Sequence, residues 1–560
     1  MILARVSALV SALLLAACAS APEPGAALAE RVFTGGVIHT GTGASVEAVA
    51  VADGRVLAAG SRDAIAALTG PQTETIDLDG AAMFPGFVDA HVHIMGVGQR
   101  ERRLNLEDVG SIGELQSAVA GAAVESESGV IAGRGWIETH WPEARFPTRD
   151  DLDAVAPDRP VVLTRADGHA LAANSAALAA VGYDAATPDP DGGEILKDET
   201  GRPNGMIIDA AMAPFAALIG EPQGEEREAL YELGAQVLAR SGWSGVHTMS
   251  MPAGDIAILE TLARENRLAV RVYAAANPDG YDAVAARAAD PAPADALVTL
   301  RAVKLYADGA LGSRGAALLS PYSDRPGETG LYLMRKDAAT AMMERALEDG
   351  VQLAIHAIGD AGNRVTLDWI EESLEAVPPD ARAVQPPRWR IEHAQIVHPT
   401  DQPRFAELGV IASMQPSHAI GDLHFAPARL GLQRLEGAYA WRDLLDAGAV
   451  IAGGSDAPVE RGEARIEFYA AAVRRDLEGY AGEGWNLDQA VSRAEALAMF
   501  TTAPAFASFR EGELGLIAPG HIADFSVFDA DLMAVPDAAL KDARPVMTVL
   551  GGEVVWREGR

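Results

Sequence analysis

The sequence predicts an α/β fold: a (β/α)8 TIM-type barrel with a small β-sandwich composed from both chain ends and a large insertion after the first barrel strand. Three observations predict it. Short apolar strands alternate with helical stretches through the centre of the chain, as in parallel βα units, and the strands number eight. Both ends are dense in strand and turn signals. Ionisable residues stand at the ends of several central strands, where such barrels carry their sites.

The eight strands read as Met83–His93, Gly245–Ser250, Ala269–Ala276, Arg301–Asp308, Val351–His356, Trp389–His393, Val410–Gln415 and Val450–Asp456. Helical segments such as Ile256–Glu265, Ala338–Glu348, Arg364–Ala376 and Ala438–Ala447 fall between them. One connection is abnormal: residues 95–244 far exceed an ordinary βα loop, so they form an insertion expected to cover the barrel mouth. Within it, Gly192 to Gly201 reads as a hairpin. At the ends, Val32 to Ile38, Val49 to Val56 with its Asp53-Gly54 turn, Ala523 to Phe528 and Val546 to Trp556 are strand-like. The expected units are a composite β-sandwich from 31–82 and 510–560 and a barrel over 83–509.

Of the 560 residues, 49% are hydrophobic and 22% charged, a soluble globular composition with ample core material. The formal net charge of −34 repels nucleic acid and anionic lipid headgroups, so no nucleic-acid partner is expected. The one cysteine is Cys18, preceded by a short basic start and an apolar run from Val6 to Ala17, which together read as a secretory signal. Leu15-Ala16-Ala17-Cys18 resembles the lipobox of bacterial lipoproteins. That resemblance implies a signal peptide over 1–17, a lipidated Cys18 and a flexible tether over 18–30. Ala19 in place of aspartate implies the outer membrane, facing the periplasm, with membrane contact only through this anchor. A mature chain has no thiolate to offer, so any metal must be held by His, Asp, Glu or Lys.

The chemistry concentrates at strand ends. His91 and His93 end the first strand two residues apart, so both point to one face and make half of a metal site. The fourth strand carries Lys304, the fifth His356, the sixth His393 and the eighth Asp456. Each would be costly to bury unless paired or ligated, and five such strands make coincidence improbable.

These residues stand in longer motifs: Phe84 to His93, Gly133-Arg134-Gly135-Trp136, Asp167-Gly168-His169-Ala170 with Asn174, Lys304 to Gly309, His356 to Asp360, Glu392-His393-Ala394, Met414-Gln415-Pro416, Gly454-Ser455-Asp456 and Gly515 to Asp524. Together they resemble the amidohydrolase superfamily, in the branch that includes N-substituted formamide deformylases, over essentially the whole mature chain. The resemblance implies a metal-dependent hydrolase that cleaves a C–N bond of an amide, N-formyl, N-acyl or cyclic amide substrate. It implies that one or two divalent ions, Zn2+ first with Mn, Co or Fe also suited, are bound. His91, His93 and Asp456 would hold one and His356 and His393 the other, with a CO2-derived carbamate on Lys304 between them. Asp456 would also move a proton from the attacking water to the leaving nitrogen. Trp136, His140, Trp141, His169 and Asn174 in the insertion, Ser313 and Arg314 after the fourth strand, and His418 after the seventh are the expected substrate contacts. A homodimer stays open. A mononuclear deaminase on the same barrel is the rival, but Ala357-Ile358-Gly359-Asp360 lacks the glutamate such enzymes place after this histidine. A non-catalytic binding protein is disfavoured because all six ligand positions are intact.

Overall fold

A computed structural model describes residues 28–559 apart from 108, 126–128, 139–140, 167, 169, 191 and 294. The expected signal peptide, Cys18, His140 and His169 lie outside the described residues. Eight strands form one parallel sheet: β1 (Phe87–Val92), β2 (Trp243–Met251), β3 (Arg271–Ala276), β4 (Val298–Tyr306), β5 (Gln352–Ala357), β6 (Arg390–His393), β7 (Ile411–Met414) and β8 (Val450–Gly453). Each pairs in parallel with the next. Outward-facing Val303, Leu305, Leu353, Ile355 and Ile391 share a core with helix residues such as Met343, Leu347, Leu367 and Ile370, which explains why the strands read as continuous apolar runs.

The seam between β8 and β1 is stitched beyond the end of β8. Asp456 N–H donates to His91 O at 2.6 Å and His93 N–H to Ala457 O at 2.8 Å. Beneath them the buried Asp89 carboxylate accepts from the Ser455 amide at 2.9 Å and its hydroxyl at 2.5 Å. The residues that close the seam are thus the neighbours of the expected metal ligands.

Two strand expectations are corrected. Met83–His93 is not one strand: Ala82–Pro85 belongs to the outer sheet, and the chain crosses into the barrel at Gly86, whose N–H donates to Asp524 O at 2.8 Å. The last strand stops at Gly453, and Asp456 sits on a turn with φ 59°.

The chain ends do combine. Arg31–His39, Ser45–Ala52, Arg55–Gly60, Glu74–Asp77 and Ala82–Pro85 join Phe525–Phe528, Pro545–Leu550 and Glu553–Arg557. Ala82–Pro85 is the link, antiparallel to Phe525–Phe528 on one side and parallel to Arg31–His39 on the other. Because of that link all eight strands form one continuous sheet rather than the two separate layers of a sandwich. It curls over a core of Phe33, Ile38, Met83, Phe525 and Val549, until Val56 N–H reaches His521 O at 2.8 Å.

The insertion has its own six-stranded sheet from Leu104–Asn105 to Pro203–Asp209, including the expected hairpin between Gly193–Lys197 and Pro203–Asp209. Arg100 ties it to the barrel mouth: its guanidinium donates to Glu460 O and Arg461 O in the loop after β8 and pairs with Glu107 at 2.9 Å. Among the described residues no helix is long and apolar enough to cross a membrane.

Helices Ile94–Arg102 and Gly224–Arg240 bracket the insertion and pack backbone to backbone. A Cβ at Gly98 would stand 2.0 Å from Leu230 O, and one at Gly234 would stand 2.1 Å from Ile94 O. Gly98→Ala and Gly234→Ala should therefore each destabilise the protein by about 1–3 kcal/mol through overpacking. Gly121→Ala, in helix Ile112–Glu125 with open space around it, should be neutral or stabilising by up to about 1 kcal/mol. Thermal unfolding followed by circular dichroism measures the difference; three equal effects would refute the close crossing.

Candidate metal centre

The C-terminal ends of the strands bring the predicted ligands together. Ligand atoms of His91, His393 and Asp456 all lie within 4.8 Å of one another, and all three residues are buried. Asp456 Oδ1 is 3.4 Å from His91 Nε2 and 3.1 Å from His93 Nε2, while Lys304 Nζ is 3.5 Å from His91 Nε2. His356 touches the group through its ring, 4.6 Å from that of His393, but its Nε2 faces Gly309 O at 3.4 Å. The tightest grouping therefore joins one ligand from β1 with one from β6, across the two sets expected from sequence. The rings of His91 and His393 meet over the barrel axis with centroids 4.8 Å apart.

Three imidazoles are held the same way. His91 Nδ1 lies 2.6 Å from Glu392 Oε2, His93 Nδ1 3.2 Å from Met249 O and His393 Nδ1 2.8 Å from Gln415 Oε1. Each of these partners is an acceptor, so each Nδ1 carries the proton and each Nε2 presents a lone pair to the centre. Glu392 is itself fixed by Arg390, whose Nε is 2.8 Å from Oε1. Both side chains are completely buried. Arg390 further donates to Ala90 O at 2.5 Å and Ser413 Oγ at 2.7 Å, and it meets His247 Nδ1 at 2.8 Å.

Electrostatics suit cation binding. Burial, then the nearby Lys304, lowers His91 to about 4 and His356 to about 3; burial also carries His393 well below its usual range. These rings are neutral ligands at physiological pH. Burial alone would raise Asp456, but His91, His93 and His393 outweigh it and hold its carboxyl well below the usual range. Burial draws Lys304 down to about 8 against the pull of Glu392 and Asp456. Neutral nitrogen donors aimed at an ionised carboxylate are a donor set that fits a divalent metal of borderline character.

Asp308, four residues after Lys304, is a staple. It accepts from the amides of Ala317, Ile358 and Gly359 at 2.8–2.9 Å and so locks together the loops after β4 and β5. Tyr306 walls the mouth, its hydroxyl bonded to Ser250 and its ring 5.3 Å from Lys304 Nζ.

The expected substrate contacts fare differently. Trp136 is completely buried in the insertion's core beside Trp141, and its Nε1 donates to Leu163 O at 2.8 Å. Asn174 is also completely buried: it caps helix Ser175–Val181 and spends both ends of its amide on backbone groups of Val161, Ala177, Ala156 and Arg159. Both correct the expectation of pocket-lining roles, since neither leaves a polar atom for a ligand. Ser313 Oγ bonds Ala310 O, and Arg314 is clamped by both oxygens of Asp324 within its own loop. His418 does face the centre, stacked on His393 with centroids 5.9 Å apart. Sequence reasoning missed Glu392 and Arg390 as site residues; the signal was an Arg and a Glu two apart, hence on one face, in the short strand Arg-Ile-Glu-His.

Comparison with known proteins bears on the family and the fold. The profile of the amidohydrolase family matches residues 74–556. The chain is 32% identical to YtcJ of Bacillus subtilis (strain 168), over 94% of this chain and 100% of that one. It is 28% identical to the N-substituted formamide deformylase of Arthrobacter pascens, over 90% of this chain and 94% of the other. A crystal structure of an uncharacterized metal-dependent hydrolase from Pyrococcus horikoshii OT3 superposes with a TM-score of 0.73 at 28% identity, covering 90% of this chain and 99% of that one. The chain belongs to the amidohydrolase family and is a hydrolase of the metal-dependent kind.

Proposed function

We propose that this protein hydrolyses an amide-type C–N bond, with N-formyl and N-acyl amines as the leading substrate class. The observation that carries this reading is the convergence of His91, His93 and His393, each with Nδ1 occupied, on the ionised Asp456 at the barrel mouth. The N-substituted formamide deformylase among the relatives supports the choice of substrate class. His91, His93, His356, His393 and Asp456 would hold one or two divalent ions, with Zn2+ the best match to nitrogen and oxygen donors. Such an ion supplies Lewis acidity, which lowers the pKa of water and polarises a carbonyl.

The residues divide the remaining work. Asp456 accepts the proton released when water attacks the carbonyl carbon, and returns it to nitrogen as the C–N bond breaks. That delivery is needed because an unprotonated amide nitrogen leaves poorly. Gln415, Met249 O and Glu392 keep the imidazoles aimed. The Lys304 amine, drawn toward its neutral form by burial, adds to CO2: an N–C bond forms, one proton is released, and the carbamate supplies a second anion beside Asp456.

Asp456→Asn should lower kcat/KM for an N-alkylformamide by about 10²–10⁴-fold, and dialysis against a chelator should abolish turnover until metal is returned. Full activity of the asparagine variant would overturn the role of Asp456. Lys304→Ala should lose most activity and recover part of it when short carboxylic acids such as propionate are added. An active, fully metallated enzyme whose Lys304 is shown by NMR with 13C-labelled CO2 to carry no carbamate would refute that modification.

The N-terminal residues are proposed to anchor the enzyme by lipid at Cys18 in the outer membrane, facing the periplasm. Cys18→Ser should shift it from the membrane to the soluble fraction or leave it unprocessed. A wild-type protein found wholly soluble with Met1 retained would contradict the anchor.

A further inference from the structure

On the flank of the centre beyond β7 and β8, the mouth is lined by carboxylates. Glu460 follows β8, with its side chain 27% exposed; among the described residues its only ion-pair partner is His418. Asp422, beyond β7, accepts from Gln395 Nε2 at 2.7 Å and from the Tyr439 hydroxyl, so it is fixed in place. Glu107 reaches over from the insertion, held by Arg100. Burial, then Asp422, Asp456 and Glu107, push Glu460 up to about 8, with Arg461 acting weakly the other way.

His418 marks this flank as a binding position. Only 9% exposed, its ring aims Nε2 between two carboxylates, 3.7 Å from Asp456 Oδ2 and 3.8 Å from Glu460 Oε1. At those distances it makes no hydrogen bond, and among the described residues no protein atom satisfies it. Buried polar atoms in folded proteins are rarely left so. Asp456 Oδ1 is turned to His91 and His93, whereas Oδ2 faces His418 and, past it, Glu460. Asp456 Oδ2, His418 Nε2 and Glu460 Oε1 line one path from the reacting centre toward the insertion.

We propose that Glu460, with His418 and Asp422 beside it, forms a subsite for a protonated amine on the leaving-group side of the substrate, a short aliphatic chain from the scissile C–N bond. An ammonium carries three donors and one positive charge. It can therefore pair with Glu460, and its charge relieves the repulsion that Asp422, Asp456 and Glu107 impose on that carboxylate. A neutral alkyl group would leave Glu460 without a counter-charge, and a carboxylate would add to the repulsion. The departing product would then be a diamine or a similarly dibasic amine. This inference rests on the reading of the site as an amide hydrolase, and it adds the charge preference of its leaving-group pocket.

A matched series tests it: N-(4-aminobutyl)formamide, N-butylformamide and 4-formamidobutanoate, assayed with the metallated full-length enzyme. The expected order of kcat/KM is cation above neutral above anion, with cation over neutral by about tenfold or more, the range of a hydrogen bond to a charged group. Glu460→Gln, with metal content checked by elemental analysis, should lose about tenfold more kcat/KM on the cationic substrate than on the neutral one. Equal rates across the series in the wild type, or equal losses in the variant, overturn the subsite. Calorimetry with 1,4-diaminobutane, against 1,4-butanediol as the neutral control, reads the subsite apart from turnover. Diamine binding that weakens about tenfold in Glu460→Gln while no formamide is cleaved would uphold the subsite and sink the formamide reading. Diamine binding no tighter than the diol, or unchanged in the variant, would overturn the subsite even in an active formamide hydrolase.

Discussion

The buried Arg390–Glu392 pair is the constraint on which the rest of the centre depends. Both side chains are fully excluded from solvent, and desolvating two charges is repaid only when geometry and additional hydrogen bonds are good. Here they are. Arg390 contacts groups of β1, β2 and β7 (Ala90 O, His247 Nδ1 and Ser413 Oγ) while Glu392 takes the proton of His91 Nδ1. One guanidinium thus registers four strands, and the carboxylate it neutralises sets a ligand's tautomer. Losing either partner would strand an uncompensated charge, a loss of roughly 3–5 kcal/mol, and would release His91 as well.

Above that layer the backbone takes up the strain of presenting ligands. His393, Ala394 and Asp456 have φ of 72°, 41° and 59°, values that ordinary L residues adopt at a cost. The compensation lies nearby. Asp89 grips Ser455 just before Asp456, and Asp308 gathers the amides of Ala317, Ile358 and Gly359 beside His356. Two carboxylates that never face substrate therefore hold the loops from which the ligands project. In the sequence they look like further site residues; in the structure each is spent on backbone amides.

What the sequence could reveal follows from the range of each signal. Barrel strands are apolar on both faces, so their number and order were readable, and polar residues at their ends stood out. The break at Gly86 was not readable, because apolar residues flank Pro85-Gly86 on both sides from Ala82 to Val88 and the pairing of Ala82–Pro85 with Phe525–Phe528 is what distinguishes the two halves. The ligand residues were readable, yet their grouping was not: which rings meet over the axis depends on barrel geometry, not on spacing. Met249 O, a backbone acceptor on another strand, has no sequence signature at all. Trp136 and Asn174 misled for the opposite reason. A tryptophan and an amide near a conspicuous motif resemble pocket residues, although an insertion of this size needs a core and helix caps of its own.

The charge distribution binds these levels together. Burial keeps His91, His356 and His393 neutral and Arg390 pairs with Glu392, so Asp456 is the main anion that the described residues supply to the centre. A divalent ion there would leave the cavity net positive. Lys304, if it stayed an ammonium 3.5 Å from His91 Nε2, would worsen that excess. The carbamate proposed for Lys304 would correct the balance from below. Glu460, Asp422 and Glu107 crowd the rim, so that burial and mutual repulsion push Glu460 up to about 8 and leave it ready to ionise beside a cation. The formal −34 of the chain is therefore more than a solubility device, because part of it lies where the reacting centre has its deficit. With the proposed carbamate on its floor and carboxylates at its rim, such a centre would attract cations twice, first the metal and then a positive group on the substrate.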